Sequence, residues 1–393
     1  MIRDAFPPLI RQIQNIAFLT GAVGLGLSFI GLYLQPQQFF ISYLFAYLFW
    51  IGISLGGMVI VMIHHLTGGA WGFLIRRPLE AATRALPLMV LLFIPLLFGL
   101  SDLYIWTHPE DVAHKSVLHV IQKKQEYLNI PFFAVRAVIY FVIWLGIAYW
   151  LNKWSSEQDQ KNQLELVLRL QYFSAIGAIL YTLSITFAGV DWVMSLVPGW
   201  YSTIFGFLLG SGQMLSAMAF AIIIAVSFSK TKPLSAIFLP GRLHDLGNIL
   251  LAFILLWTYL AFIQYFIIWS ENLPHEISWY LPRVGSSWKW LGIFLIIFHF
   301  AVPFIVLLSR RAKRTNSILM GVAVAVVIVH LVDAFWLVVP SLRSQGFQLY
   351  WTDFTVPFGI GGLWLATVLW QLQRKPLVPI QAPGAEEAME HGR

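Results

Sequence analysis

An all-α polytopic membrane protein is the fold class this sequence predicts, and three observations predict it. Of its 393 residues 59% are hydrophobic and 11% charged, where an ordinary soluble domain is about 25% charged. Apolar stretches close to the ~20 residues that cross a bilayer recur about ten times. The basic excess of +7 is sorted by side rather than gathered into a patch.

The spans run 15–34, 40–66, 86–106, 131–151, 165–189, 201–228, 246–270, 288–308, 317–339 and 353–373. Span 1 is of crossing length and lacks a small-residue cleavage site, so no cleaved signal is expected. Span 2 carries Gly52-xxx-Gly56, then Met58, and ends on His64-His65. Small-xxx-small spacing lets helix backbones approach closely. Span 3 ends on Asp102 and an aromatic belt, Tyr104-Ile105-Trp106, and the loop 107–130 that follows has the mixed pattern of an amphipathic surface helix. Span 4 begins with Arg136; span 5 opens on the i,i+4 surface pair Glu165 and Arg169 and closes on Asp191.

From span 6 the pattern repeats. Gly206-xxx-Gly210 and Met214 match span 2, Ile267-Ile268-Trp269 at the end of span 7 matches span 3, and Lys289 at the start of span 8 matches Arg136. Span 9 ends as span 5 does: Val190-Asp191 and Val332-Asp333 each stand seven residues before a proline, Pro198 and Pro340. Span 10 opens on Asp353. The expected organisation is a flanking helix in 1–38, a four-helix bundle in 39–200 (spans 2–5), a related bundle in 201–340 (spans 6–9), a second flanking helix in 341–374, and a disordered cytoplasmic tail in 375–393. Loop 271–287, with Trp279, Tyr280 and Arg283, has the aromatic character of a docking surface.

With the N-terminus inside, 18 of the 25 Lys and Arg residues fall in inside segments and 7 outside. That asymmetry predicts cytoplasmic termini and removes nucleic acid as the meaning of the positive charge. The absence of cysteine excludes an iron–sulfur cluster, a thiolate metal site and disulfides within the chain.

A carboxylate in hydrocarbon costs about 2.5–3.5 kcal/mol even on the lenient insertion scale, so each one is a candidate for function. His330 and Asp333 lie i,i+3 on one face of span 9 and are the leading pair for proton handling. Asp191, Asp102 and Asp353 lie at similar depth, with Arg136 in span 4 the nearest candidate counter-ion for the group. For Asp191 and Asp353 a structural ion pair or a wetted interfacial carboxylate is the stronger reading. His64, His299 and His330 fall at different depths along their spans, so no axial pair for haem is expected, and no metal site either.

Longer runs carry a family resemblance. They are Asp191-Trp192-Val193-Met194-Ser195 through Pro198-Gly199-Trp200-Tyr201 to Phe205-Gly206, then Arg242-Leu243-His244-Asp245, Trp269-Ser270-Glu271-Asn272-Leu273-Pro274-His275-Glu276, and Asp353-Phe354 through Pro357-Phe358-Gly359 to Leu363-Trp364. They resemble the NrfD/polysulfide-reductase-type membrane subunits of alternative complex III, the smaller of the two (ActF) most closely. His275 departs from that pattern, where an acidic residue is expected. The resemblance implies ten helices in two four-helix bundles, with no cofactor bound by this chain. It also implies a bacterial inner-membrane complex that oxidises quinol, menaquinol among them. The partners it implies are a sister NrfD-like subunit, an iron–sulfur subunit, and multihaem and monohaem cytochromes c. A proton path is the expected role. A secondary transporter and a scaffold without chemistry are the rival readings.

Overall fold

The computed structural model describes residues 8–112, 115–160, 164–231 and 234–378. Every regular element among them is helical. We number the principal helices α1 (Pro8–Leu34), α2 (Pro36–Thr67), α3 (Trp71–Thr83), α4 (Leu86–Phe98), α5 (Lys115–Lys123), α6 (Ile130–Gln158), α7 (Leu164–Trp192), α8 (Phe205–Ser227), α9 (Pro240–Glu271), α10 (Trp288–Leu308), α11 (Asn316–Leu342) and α12 (Thr352–Leu372). Among the described residues nine helices are long and apolar enough to cross a membrane. A tenth crossing exists if α3 and α4, bent by 41° at their junction, count as one span. The chain is an all-α polytopic membrane protein.

Burial separates the hub from the rim. In the most apolar stretch of α2, 89% of residues are buried, against 22% in α10, so α2 is enclosed by protein while α10 turns most of its side chains to lipid. The hub contact is α2 against α8. A Cβ on Gly56 would lie 1.9 Å from the Gln213 carbonyl oxygen, and one on Gly52 3.1 Å from the Gln213 side chain. The matching glycines of α8 face elsewhere: Gly206 lies against Thr186 and Gly210 against Tyr181, both on α7. The repeated motif thus makes a different contact in each half. At the periphery α1 lies on α12 through Gly21 with Gly362 and Gly24 with Gly359, the backbone approach that replaces hydrophobic driving force within lipid.

Two expectations change. Residues 71–83, outside every expected span, form helix α3, with Arg76 and Arg77 buried. Loop 271–287 does not present its aromatics outward: Trp279 is buried and stacks on Trp200 at 5.0 Å. The loop 107–130 does contain its surface helix, α5, anchored by buried Ile121. The tail expected from 375 lies outside the described residues from 379 onward.

Candidate functional site

In the first bundle the terminal carboxylate is closed off. Asp191 comes from the last turn of α7 and Arg136 from the second turn of α6, and their guanidinium–carboxylate pair is bidentate: Nε donates to Oδ2 at 2.8 Å and Nη2 to Oδ1 at 3.0 Å. The Tyr140 hydroxyl donates to Oδ2 at 2.6 Å. Arg136 spends Nη1 on the Tyr127 carbonyl at 2.9 Å and lies over the rings of Tyr127 and Phe132. Asp191 is wholly buried. With a guanidinium and a phenol already bonded to its oxygens the Asp191 carboxylate has its partners filled, so Asp191 and Arg136 form a structural pair rather than an exchange site.

The equivalent carboxylate of the second bundle is open. Asp333 on α11 has no guanidinium; its Oδ2 stands 3.5 Å from His330 Nδ1, past the 3.2 Å of a sound N–H···O bond. The His299 ring stacks on His330, centroids 5.5 Å apart and 18° from parallel, with its other side at 4.1 Å from Trp257. One donor atom from each of His299, His330 and Asp333 falls within 4.8 Å of the others. Both nitrogens of His299, Nδ1 of His330 and Oδ2 of Asp333 are buried without a hydrogen-bond partner among the described residues. Buried polar atoms normally find partners, so this concentration of unmet capacity marks the place.

Local structure explains the meeting. His299 lies in a π-helical turn, Ile296–Ala301, inside α10, and such bulges shift the face on which later side chains emerge. Gly212 on α8 admits the neighbouring imidazole, since a Cβ there would lie 2.6 Å from His330 Cε1. Beside His330 and Asp333 a cavity of about 40 Å³ opens at the junction of α2, α7, α8 and α11, with Phe49, Trp192, Gln213 and Leu337 also on its wall. At roughly 10–15 Å³ per water centre, about three or four waters fit; a quinone ring does not, small-molecule sites running from about 300 Å³. Gln213 Oε1 accepts from Tyr181 at 2.7 Å and so extends the polar wall towards α7. Two imidazoles and a carboxylate are also a donor set for zinc, though with only three donors. Stacked histidine rings 5.5 Å apart leave no room for a porphyrin between them.

The other sequence candidates disperse. Asp102 sits half-buried in the short turn Leu100–Leu103 and lines none of this cavity. Asp353, expected near water, is buried and paired bidentately with Arg343 at 2.8 and 3.0 Å, with Ser42 donating to it at 2.7 Å. Lys289, the expected counterpart of Arg136, is exposed beside Trp290. The buried cation of that region is Arg283, which bonds the carbonyls of Trp279 and Leu337 and the Ser341 hydroxyl and lies 3.4 Å from the centre of the Trp279 ring. Burial lowers its pKa well below the ordinary guanidinium value. His64 and His65 stay apart from the cluster, His64 against Trp71 and His65 3.3 Å from the Ser174 hydroxyl.

His330 and Asp333 are therefore where their spacing put them, while His299, Gln213 and Trp257 were not anticipated as their neighbours. No family model matches this sequence, and no curated protein matches it.

Proposed function

We propose that this chain is an integral membrane subunit of a quinol:electron-acceptor oxidoreductase of the alternative complex III type, and that it carries a proton-handling site where its two bundles meet. The observation that carries the proton reading is the contrast between equivalent carboxylates: Asp191 is locked by Arg136 and Tyr140, whereas Asp333 faces His330, His299 and a cavity fit for water. A carboxylate without a fixed counter-ion in a low-dielectric setting can hold a proton or release it as its neighbours change. In this reading Asp333 takes a proton from cavity water, the imidazoles of His330 and His299 pass it on, and Gln213 orients the water. The membership of alternative complex III rests on the motif resemblance. It brings with it quinol as the substrate of the whole complex, cofactors on partner subunits, and a bacterial inner membrane; the cytoplasmic placing of both termini rests on the cation distribution.

Two measurements test the reading. Purification of the native assembly should bring down iron–sulfur and cytochrome c subunits; isolation of the chain alone, or with unrelated partners, refutes the assignment to that complex. In liposomes, the assembled Asp333→Asn complex should lose most of its membrane-potential generation during quinol turnover. A complex that matches wild type in both turnover and potential rules the relay out.

A further inference from the structure

The end of the molecule that the cation distribution assigns to the cytoplasm holds a second polar cluster, independent of the His330–Asp333 site. It joins α3, the C-terminal end of α6 and the residues just past α12. Glu80 lies at its centre, accepting from Arg76 Nε at 2.8 Å, Arg77 Nη1 at 2.6 Å and the Ser155 hydroxyl at 2.6 Å. Arg77 also bonds Asp159, and Arg76 reaches Ser155 and Gln158. Two carboxylates are thereby satisfied by two arginines.

The remaining cations have no carboxylate of their own. Arg84 gives Nε to the Glu80 carbonyl at 3.1 Å, while its Nη2 is buried without a partner, as is Nε of Arg77. Lys375 gives its ammonium to the neutral Ser156 hydroxyl. Arg374, exposed on Trp370, lies within electrostatic range of Arg84. Burial lowers the Lys375 pKa first, and the guanidiniums of Arg84 and Arg77 lower it further. Burial raises that of Asp159, with Arg77 working against the rise. Among the described residues five cations (Arg76, Arg77, Arg84, Arg374, Lys375) share two carboxylates.

We propose that this surplus binds one phosphate-type anion, with Arg84 and Lys375 as its principal holders. Arginine's planar fork suits phosphate oxygens, and basic pockets between transmembrane helices on the cytoplasmic side are where phospholipid headgroups bind. Arg84 and Lys375 are half-buried and Arg374 is exposed, so the anion enters from the interface without opening the bundle. The same oxygens are offered by an anionic lipid headgroup and by free phosphate.

The full chain is purified in detergent, its bound phosphorus and lipids are measured, and after delipidation it is titrated with phosphatidylglycerol or cardiolipin in mixed micelles and, separately, with inorganic phosphate. Wild type should keep about one phosphorus-bearing molecule per chain and gain thermal stability on titration. Arg84→Gln and Lys375→Gln should weaken that binding at least fivefold, and Arg84→Lys should restore part of it. Because Arg84→Gln also gives up the Nε bond to the Glu80 carbonyl, its unliganded melting point is measured alongside, and Lys375→Gln, which gives up only a bond to the Ser156 hydroxyl, carries the test if the arginine variant does not fold. A response to lipid alone names the headgroup, and a response to inorganic phosphate names the free anion. No phosphorus bound and no response to either overturns the proposal. So does a Glu386→Gln, Glu387→Gln, Glu390→Gln chain that newly acquires phosphate binding, because the chain's own carboxylates then occupy the place.

Discussion

Asp191→Asn and Asp333→Asn are the same chemical change at equivalent places in two bundles, and the structure assigns them opposite consequences. Removing one partner of a buried ion pair costs about 3–5 kcal/mol because the other charge is left uncompensated. At Asp191 the pair is bidentate and the acid is fully buried, but Arg136 would keep the Tyr127 carbonyl and two ring faces. Cation–π contacts are worth about 0.5–2 kcal/mol each, which places the expected loss near the lower end, about 3 kcal/mol. Asp333 has no guanidinium to orphan and only a 3.5 Å approach to His330, so its amide should cost about 1 kcal/mol or less, as for substitutions that break no network. Denaturation of the purified chain by increasing SDS in mixed micelles measures both. A double-mutant cycle of Asp191→Asn with Arg136→Gln should show a coupling of about 2 kcal/mol or more, within the range of contacting pairs. If Asp191→Asn unfolds with wild-type resistance, or if Asp333→Asn is the more damaging of the two to stability, the division into a locked and an open carboxylate is wrong.

Asp353→Asn should destabilise the chain by about 3 kcal/mol in the same assay, because it strands buried Arg343; a neutral result would return Asp353 to the interfacial role its position implies. Gly56→Ala should abolish the folded yield, since its methyl meets the Gln213 carbonyl at 1.9 Å, whereas Gly146→Ala, with nothing within 4 Å, should be tolerated, and expression with monodispersity separates them. A cysteine placed at exposed Ser116 in this cysteine-free chain should be labelled from outside the cell, and labelling only from the cytoplasm would invert the topology.

Hydropathy depends on composition along the chain, which is why most spans were legible to within a few residues. The two carboxylates were legible too, because a charge inside an apolar run stands out, and Arg136 was legible as a buried counter-ion, but only the structure shows that Asp191 is the carboxylate it pairs with. Helix α3 was not: it lies between the expected spans 40–66 and 86–106, and its charges Arg76, Arg77 and Glu80 are buried only because they pair with one another and with Ser155 and Asp159. Lys289 was mistaken for the counterpart of Arg136 because order in the chain does not reveal that Arg283 enters the core on a short turn.

The meeting of His299 with His330 was the costliest omission, and its cause is specific. The face on which a residue emerges is counted at 3.6 residues per turn for an uninterrupted α-helix, and α10 breaks that count with the π turn at Ile296–Ala301. The turn inserts a residue just where an imidazole must face inward, and Gly212 on the opposing helix clears the space for its partner. Neither feature has a signature in periodicity: a π turn looks like ordinary apolar sequence, and one glycine among many in a membrane helix looks like packing. The site is therefore built from two unremarkable local departures on different helices, each meaningful only once the other is in place.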